Sequence, residues 1–226
     1  MRRRNIAMIS RARSIPRVII MAIFMVMICS CKTSKGVHSP GTNSTQPDSL
    51  VTDRDGNKYP VKVLLDSKLW MTANLDVTIP NSYCYENAKE NCKRYGRLYT
   101  WESANEGCKL LGEGWRLPMS DEWRQLTMLY GGVAKDSNVT RKEAYKSLLY
   151  GGDSGFNTLL GGGRAPDGQY ARLDAHGFYW TATKDDSSTA WFYNFASGSQ
   201  ALYQQDGGEK MRAFSVRCVK SIDSLK

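Results

Sequence analysis

Six cysteines, two histidines and 22 acidic residues are the groups in this 226-residue chain that could form covalent bonds, bind metal or move protons. Four of the cysteines, Cys84, Cys92, Cys108 and Cys218, lie in the body of the chain. An even number points to disulfides and so to an oxidising compartment, and four thiols allow three connectivities. Cys84 and Cys92 flank a short polar stretch, YENAKEN, and are able to staple it locally. Cys108 and Cys218 would then tie an early helix to the final strand. Zinc would need a Cys-x-x-Cys pair or clustered histidines. The chain has no such pair, and its histidines are His38 and His176. No metal and no cofactor are expected. Catalysis is no better supported, because His176 has no Gly-x-Ser-x-Gly nucleophile elbow to serve. Gly161-Gly162-Gly163-Arg164 lacks the strand-to-helix context of a phosphate loop. No catalytic residue is assigned, and the chain reads as non-enzymatic.

Cys29 and Cys31 belong to a different chemistry. Residues 1–17 carry six arginines and no acid, and an apolar run of 11 residues follows, Val18–Ile28. That run is too short to span a bilayer and has the length of a signal-peptide core. It ends in Ile28-Cys29-Ser30-Cys31, which resembles the bacterial lipoprotein cleavage box. Residues 1–30 are therefore expected to be a signal peptide, with Cys31 the lipid-attachment residue that holds the protein on a membrane. Removing them takes six of the 31 Lys and Arg and none of the 22 acids, so a formal charge of +9 falls to +3. A charge that small gives no reason to expect a nucleic-acid partner. Residues 31–50, rich in Ser, Thr, Gly and Pro, read as a flexible tether with a span of roughly 25 Å.

The remaining chemistry must be positioned by a folded domain. Hydrophobic content of 41%, 23% charged residues and a mean hydropathy of −0.47 exclude a wholly disordered chain and a multi-span membrane protein. One domain is expected over 51–221, followed by a short tail, 222–226. Asp55-Gly56 predicts a tight hairpin with both residues at positive φ. Strands are predicted at 61–65 and 68–71. Three helices follow: one over 101–111, one beginning after Pro118 with Ser120 as N-cap, and one from Thr140, where Thr140-x-x-Glu143 fits a capping box. Strands are then predicted at 178–183, 190–196 and 213–219. In the last, Phe214, Val216 and Cys218 alternate with Ser215 and Arg217, which puts Cys218 on the core side. The class is α+β, with small antiparallel sheets and long irregular loops at 151–176, 184–189 and 197–211. Those loops hold the candidate ligand-binding residues Asp153, Asn157, Arg164, Tyr170, Asp174, Tyr203 and Gln204, a mixture of aromatic, amide and charged groups suited to a glycan.

Several short motifs fall in one order: Asp53-x-Asp55-Gly56-Asn57, Leu69-Trp70-Met71-x-x-Asn74-Leu75, Tyr95-Gly96-Arg97, Gly114-Trp115-Arg116-Leu117-Pro118 with Glu122-Trp123, Gly155-Phe156-Asn157, Phe178-Tyr179-Trp180 and Ser215-Val216-Arg217-Cys218-Val219. Together they resemble the FISUMP domain (Fibrobacter succinogenes major paralogous domain), found in exported lipoproteins. The Gly-Trp-Arg-Leu-Pro segment is also similar to formylglycine-generating enzymes, so the resemblance implies a C-type lectin-like fold. The motif tryptophans Trp70, Trp101, Trp115, Trp123 and Trp180 are expected in the core, and Arg116 with Glu122 in an ion pair. The calcium-lectin signatures Glu-Pro-Asn and Trp-Asn-Asp are absent from the sequence. The expected role is recognition of a glycan or protein at the outer membrane, on its periplasmic face or at the cell surface. The alternative is a structural or assembly component of that membrane or of a surface appendage, and an uncharacterised enzyme is the third reading.

Overall fold

A computed structural model describes residues 49–133 and 142–222. The expected signal peptide, Cys31, most of the tether, the Thr140 cap and residues 223–226 lie outside the described residues. No helix among the described residues is long and apolar enough to cross a membrane.

Three strands open the domain, β1 (Ser49–Thr52), β2 (Lys58–Val63) and β3 (Lys68–Met71). The first begins two residues inside the stretch read as tether. Asp53, not a pair of positive-φ residues, organises the turn between β1 and β2. Its Oδ1 accepts the N–H groups of Asp55 (2.9 Å) and Asn57 (3.0 Å), and its Oδ2 accepts the Asn57 amide (2.9 Å) and the Tyr59 hydroxyl. Gly56 alone takes positive φ, 85°. The turn is therefore longer than a two-residue hairpin, and its carboxylate is consumed as a local cap.

A short pair, β4 (Ser82–Tyr83) and β5 (Leu98–Tyr99), brackets helix α1 (Lys89–Tyr95). The sequence offers only a polar stretch before Cys92, since seven residues give too little periodicity to announce a helix. The Cys84–Cys92 disulfide fastens its N-terminal side. Helix α2 (Trp101–Lys109) buries Trp101, Ala104 and Cys108 at helical spacing. Helix α3 (Ser120–Leu129) buries Trp123 and Leu126, with Met119 and not Ser120 at the N-cap. The Glu122 carboxylate accepts the Met119 N–H at 2.9 Å, so the cap comes from the third helical residue reaching back. Helix α4 (Glu143–Leu148) is a short element.

The C-terminal half differs most from the expected loops. Strands β6 (Gly161–Arg164), β7 (Tyr170–Leu173), β8 (His176–Lys184), β9 (Thr189–Ala196) and β10 (Ala201–Glu209) form one sheet in the order β10-β9-β8-β6-β7. Segments 161–164, 170–173 and 201–209 are thus strand and not irregular loop. Glycine-rich β6 and amide-rich β10 lack the β-branched signal that marks a strand in sequence, and the ladder to their neighbours supplies the order instead. The predicted strand 213–219 is reduced to β11 (Val219–Ser221), which closes a four-stranded sheet β1-β2-β3-β11. Residues 213–215 make only isolated bridges, to Arg164, Tyr99 and Tyr179.

Strand β8 divides the core. Trp180 packs with Trp101, Cys108 and Phe214 on one face, while Tyr179 packs with Trp70, Trp123 and Phe195 on the other. Because both faces are covered, the strand reads as a continuous aromatic run. The ring of Trp123 stacks on Tyr193 at 5.2 Å and meets Trp70 edge-on at 5.4 Å. All five motif tryptophans are buried. The Cys108–Cys218 disulfide joins α2 to the chain just before β11, across a separation of 110 residues.

Candidate functional site

The motif residues converge inside the domain, not on its surface. Arg217 is fully buried, although the alternating pattern had set it opposite the core-facing cysteine. Its Nε donates to Asn74 Oδ1 (2.6 Å), Nη1 to the carbonyls of Phe156 (2.7 Å) and Met71 (3.2 Å), and Nη2 to the Asn157 carbonyl (2.6 Å). The guanidinium also lies 4.9 Å from the centre of the Phe156 ring. Among the described residues no carboxylate pairs with it. Burial lowers its pKa from the ordinary arginine value, against the pull of Tyr179. The planar fork spends four of its five donors on neutral oxygens, which a lysine could not match. Asn74 in turn donates to the Tyr95 carbonyl at 2.7 Å. Gly96 follows at φ 73°, where an added Cβ would come within 2.7 Å of the Asn74 Cβ. Four motifs therefore meet at one cation, and their role is architectural.

Arg116 and Glu122 form a two-pronged ion pair, 2.6 and 2.7 Å, beside the Pro118 turn. Burial would raise the Glu122 carboxyl, but the Arg116 fork and the Met119 N–H outweigh it and hold it below its ordinary value. Asp76 shows the opposite balance. Burial pushes its carboxyl up to about 6, opposed by Arg97 and assisted by Asp53 and Asp55. Arg97 Nε lies 3.6 Å from Asp76 Oδ1, beyond a good hydrogen bond, and neither atom has another partner. A carboxyl with a folded pKa above its unfolded value of about 3.9 contributes stability that is full below the latter and is lost as pH rises through the former. The stability of Asp76→Asn relative to the parent protein is thus expected to rise between about pH 4 and about pH 7 in denaturant titrations. A pH-independent difference would contradict this.

The structure separates the predicted ligand-binding residues. Asp153 is exposed in the turn after α4. The side chain of Asn157 is occupied by Gly151 N–H and the Gly155 carbonyl, and its own carbonyl by Arg217. Asp174 accepts the Tyr95 hydroxyl and lies 3.7 Å from Arg94, in a depression lined by Leu149, Tyr150, Leu159 and Leu160. Gln204 is spent on α3, its amide donating to Ser120 Oγ at 2.9 Å. The Tyr203 hydroxyl donates to Ser199. Arg164 and Tyr170 do come together: the Arg164 guanidinium lies 4.1 Å from the Tyr83 ring centre and 5.8 Å from that of Tyr170.

Arg164 also lines a groove of about 560 Å³, which runs over one face of the sheet. Antiparallel register explains its composition. Phe178 faces Asn194, and Gln205 faces Phe192, so these four share one face while Gln204 turns to the other. Phe178 and Phe192, with Phe214 behind them, make an aromatic floor whose ring centres lie 5.0–6.2 Å apart. His176 continues it, stacked on Phe178 at 5.3 Å. Gly208, next to a bulge in β10, permits this packing, since a Cβ there would sit 2.7 Å from the Phe192 ring. Polar groups are oriented above the floor. Asn194 donates to Gln205 Oε1 (2.9 Å), so its own Oδ1 accepts Nδ1–H of His176 (2.9 Å). In the neutral imidazole Nε2 is then an acceptor, and among the described residues the Gln205 amide protons have no hydrogen-bond partner. With β10 looking like a loop, the sequence does not bring this set together. Once it is a strand, alternation selects Gln205 over Gln204. Among the described residues no three His, Cys, Asp or Glu side chains converge as a metal site.

Fold and site together define a disulfide-stapled α+β domain, organised on a buried arginine, with an aromatic-floored groove on one sheet. A family model described as the Fibrobacter succinogenes major domain matches residues 61–220, and the chain belongs to that family. No curated protein matches the chain.

Proposed function

We propose that the protein is a lipid-anchored, extracytoplasmic module that recognises a glycan or protein without chemically altering it, and that a glycan in the groove over β8 and β9 is the better ligand. The carrying observation is the pairing of an aromatic floor with oriented polar groups, His176 Nε2 and the Gln205 amide, that have no partner among the described residues. Sugar C–H faces pack on rings, and sugar hydroxyls need a donor and an acceptor held in place. The depression beside Asp174 fits less well, because its charged groups already pair with one another. Export agrees with two disulfides. Anchoring at Cys31 to the outer membrane rests on the cleavage-box pattern, and the C-type lectin-like reading of the fold rests on the motif resemblance.

Screening the purified full chain on a glycan array is expected to retain a defined glycan, recovered with unchanged mass. Gln205→Ala abolishes retention while leaving the melting temperature in place. An empty broad panel, or a glycan recovered in altered form, would overturn the proposal.

A further inference from the structure

The groove is unevenly charged. Three arginines line it, Arg164, Arg172 and Arg212, against one carboxylate, Asp206. Arg172 is exposed and has no ion pair or hydrogen bond from its side chain among the described residues. It is also held at a φ of 71°, uncommon for a residue with a bulky side chain. Arg164 is steadied by the Tyr83 and Tyr170 rings, and among the described residues its one side-chain hydrogen bond is a long contact, Nη1 to the Ala165 carbonyl at 3.5 Å. Arg212 has a partner, with its Nε 3.2 Å from Glu209, but both side chains are about half exposed and the pair is weak. The rim thus presents guanidinium forks whose donors are mostly unspent, beside a floor suited to sugar rings. Planar forks of this kind match carboxylate and sulfate oxygens two at a time.

We propose that the ligand is an anionic oligosaccharide, with its carboxylate or sulfate groups held by Arg164, Arg172 and Arg212 while its sugar rings lie on Phe178 and Phe192. This rests on the groove being the glycan site. Neutral sugars would gain from the floor and the Gln205 amide but leave the arginines unused. Charge-assisted hydrogen bonds to a ligand anion are about twice as strong as neutral ones, so the arginines supply selectivity as well as affinity.

Calorimetric titration of the purified full chain with four probes tests this: an oligogalacturonate, a chondroitin sulfate hexasaccharide, cellohexaose and xylohexaose. At least one acidic probe is expected to bind about tenfold or more tightly than both neutral ones. Oligogalacturonate alone would identify a carboxylate, and the chondroitin sulfate, if it alone bound, a sulfate requirement. Arg172→Ala and Arg212→Ala are each expected to weaken the acidic probe about tenfold, with unchanged melting temperature. Raising ionic strength from about 0.05 to about 0.3 M weakens it further. Two results overturn the proposal while leaving the groove as a glycan site: neutral probes binding as tightly, with both lost in Gln205→Ala, or acidic binding indifferent to both arginine variants. Failure of all four probes, together with an empty array, overturns the groove reading itself.

Discussion

Arg217→Met is expected to cost the domain about 3–5 kcal/mol, since each buried acceptor left without a donor costs about 1–3 kcal/mol. For a domain near 170 residues that corresponds to a fall in melting temperature of about 10–15 °C. The loss does not come from the cation itself, whose burial is unfavourable. It comes from the acceptors left behind: Asn74 Oδ1 and the carbonyls of Met71 and Phe156, buried where water does not replace the donor, and the half-buried carbonyl of Asn157. Arg217→Lys retains charge and is still expected to fail, since an ammonium at the end of a flexible stem cannot serve four acceptors arranged around a plane. Arg172→Met, on the exposed rim, is the control and should stay within about 0.5 kcal/mol. Chemical denaturation of the three variants measures all of this. A loss below about 1 kcal/mol for Arg217→Met would show that the convergence of motifs at this residue is incidental.

The second large effect separates the two disulfides. Replacing Cys108 and Cys218 by alanine should destabilise the domain by about 5 kcal/mol, and replacing Cys84 and Cys92 by about 2.5 kcal/mol, in the chain-entropy account of loop closure. The difference follows from sequence separations of 110 and 8 residues. Both cysteines of the long bridge are fully buried, so the alanine pair also leaves a small void that adds to its loss. The short bridge is in addition local to α1. Its removal should loosen that helix, read as faster amide exchange over 89–95, without comparable change in the central sheet. Equal losses for the two pairs would mean that the unfolded chain is already compact enough to make loop length irrelevant.

Asp53, Asn74, Gly96 and Arg217 show how motif reading and site reading diverge. All belong to the family's motifs, and all are occupied by the fold: Asp53 caps a turn, Gly96 clears space for Asn74, and Asn74 orients Arg217. The groove residues His176, Gln205, Arg172 and Arg212 lie outside those motifs. Most motif residues in this domain therefore report how it folds, and of the proposed groove contacts only Phe178 belongs to a motif.

The sequence alone made legible the α+β class, the five buried tryptophans and the Arg116–Glu122 pair. Each of these depends on spacing within a short segment, where helical or strand periodicity and capping chemistry act over a few residues. It determined less about the cysteines, for which three connectivities were open until the fold brought Cys108 to Cys218. Strands β6, β7 and β10, and with them the groove, were decided only by tertiary structure. A glycine run or an amide-rich segment has no intrinsic preference strong enough to declare itself a strand, and its order comes from a neighbouring ladder. The same holds for Arg217. Its position in an alternating segment placed it opposite the core, and only the approach of two distant segments, 71–74 and 156–157, supplied the oxygens that allow a guanidinium to be buried there.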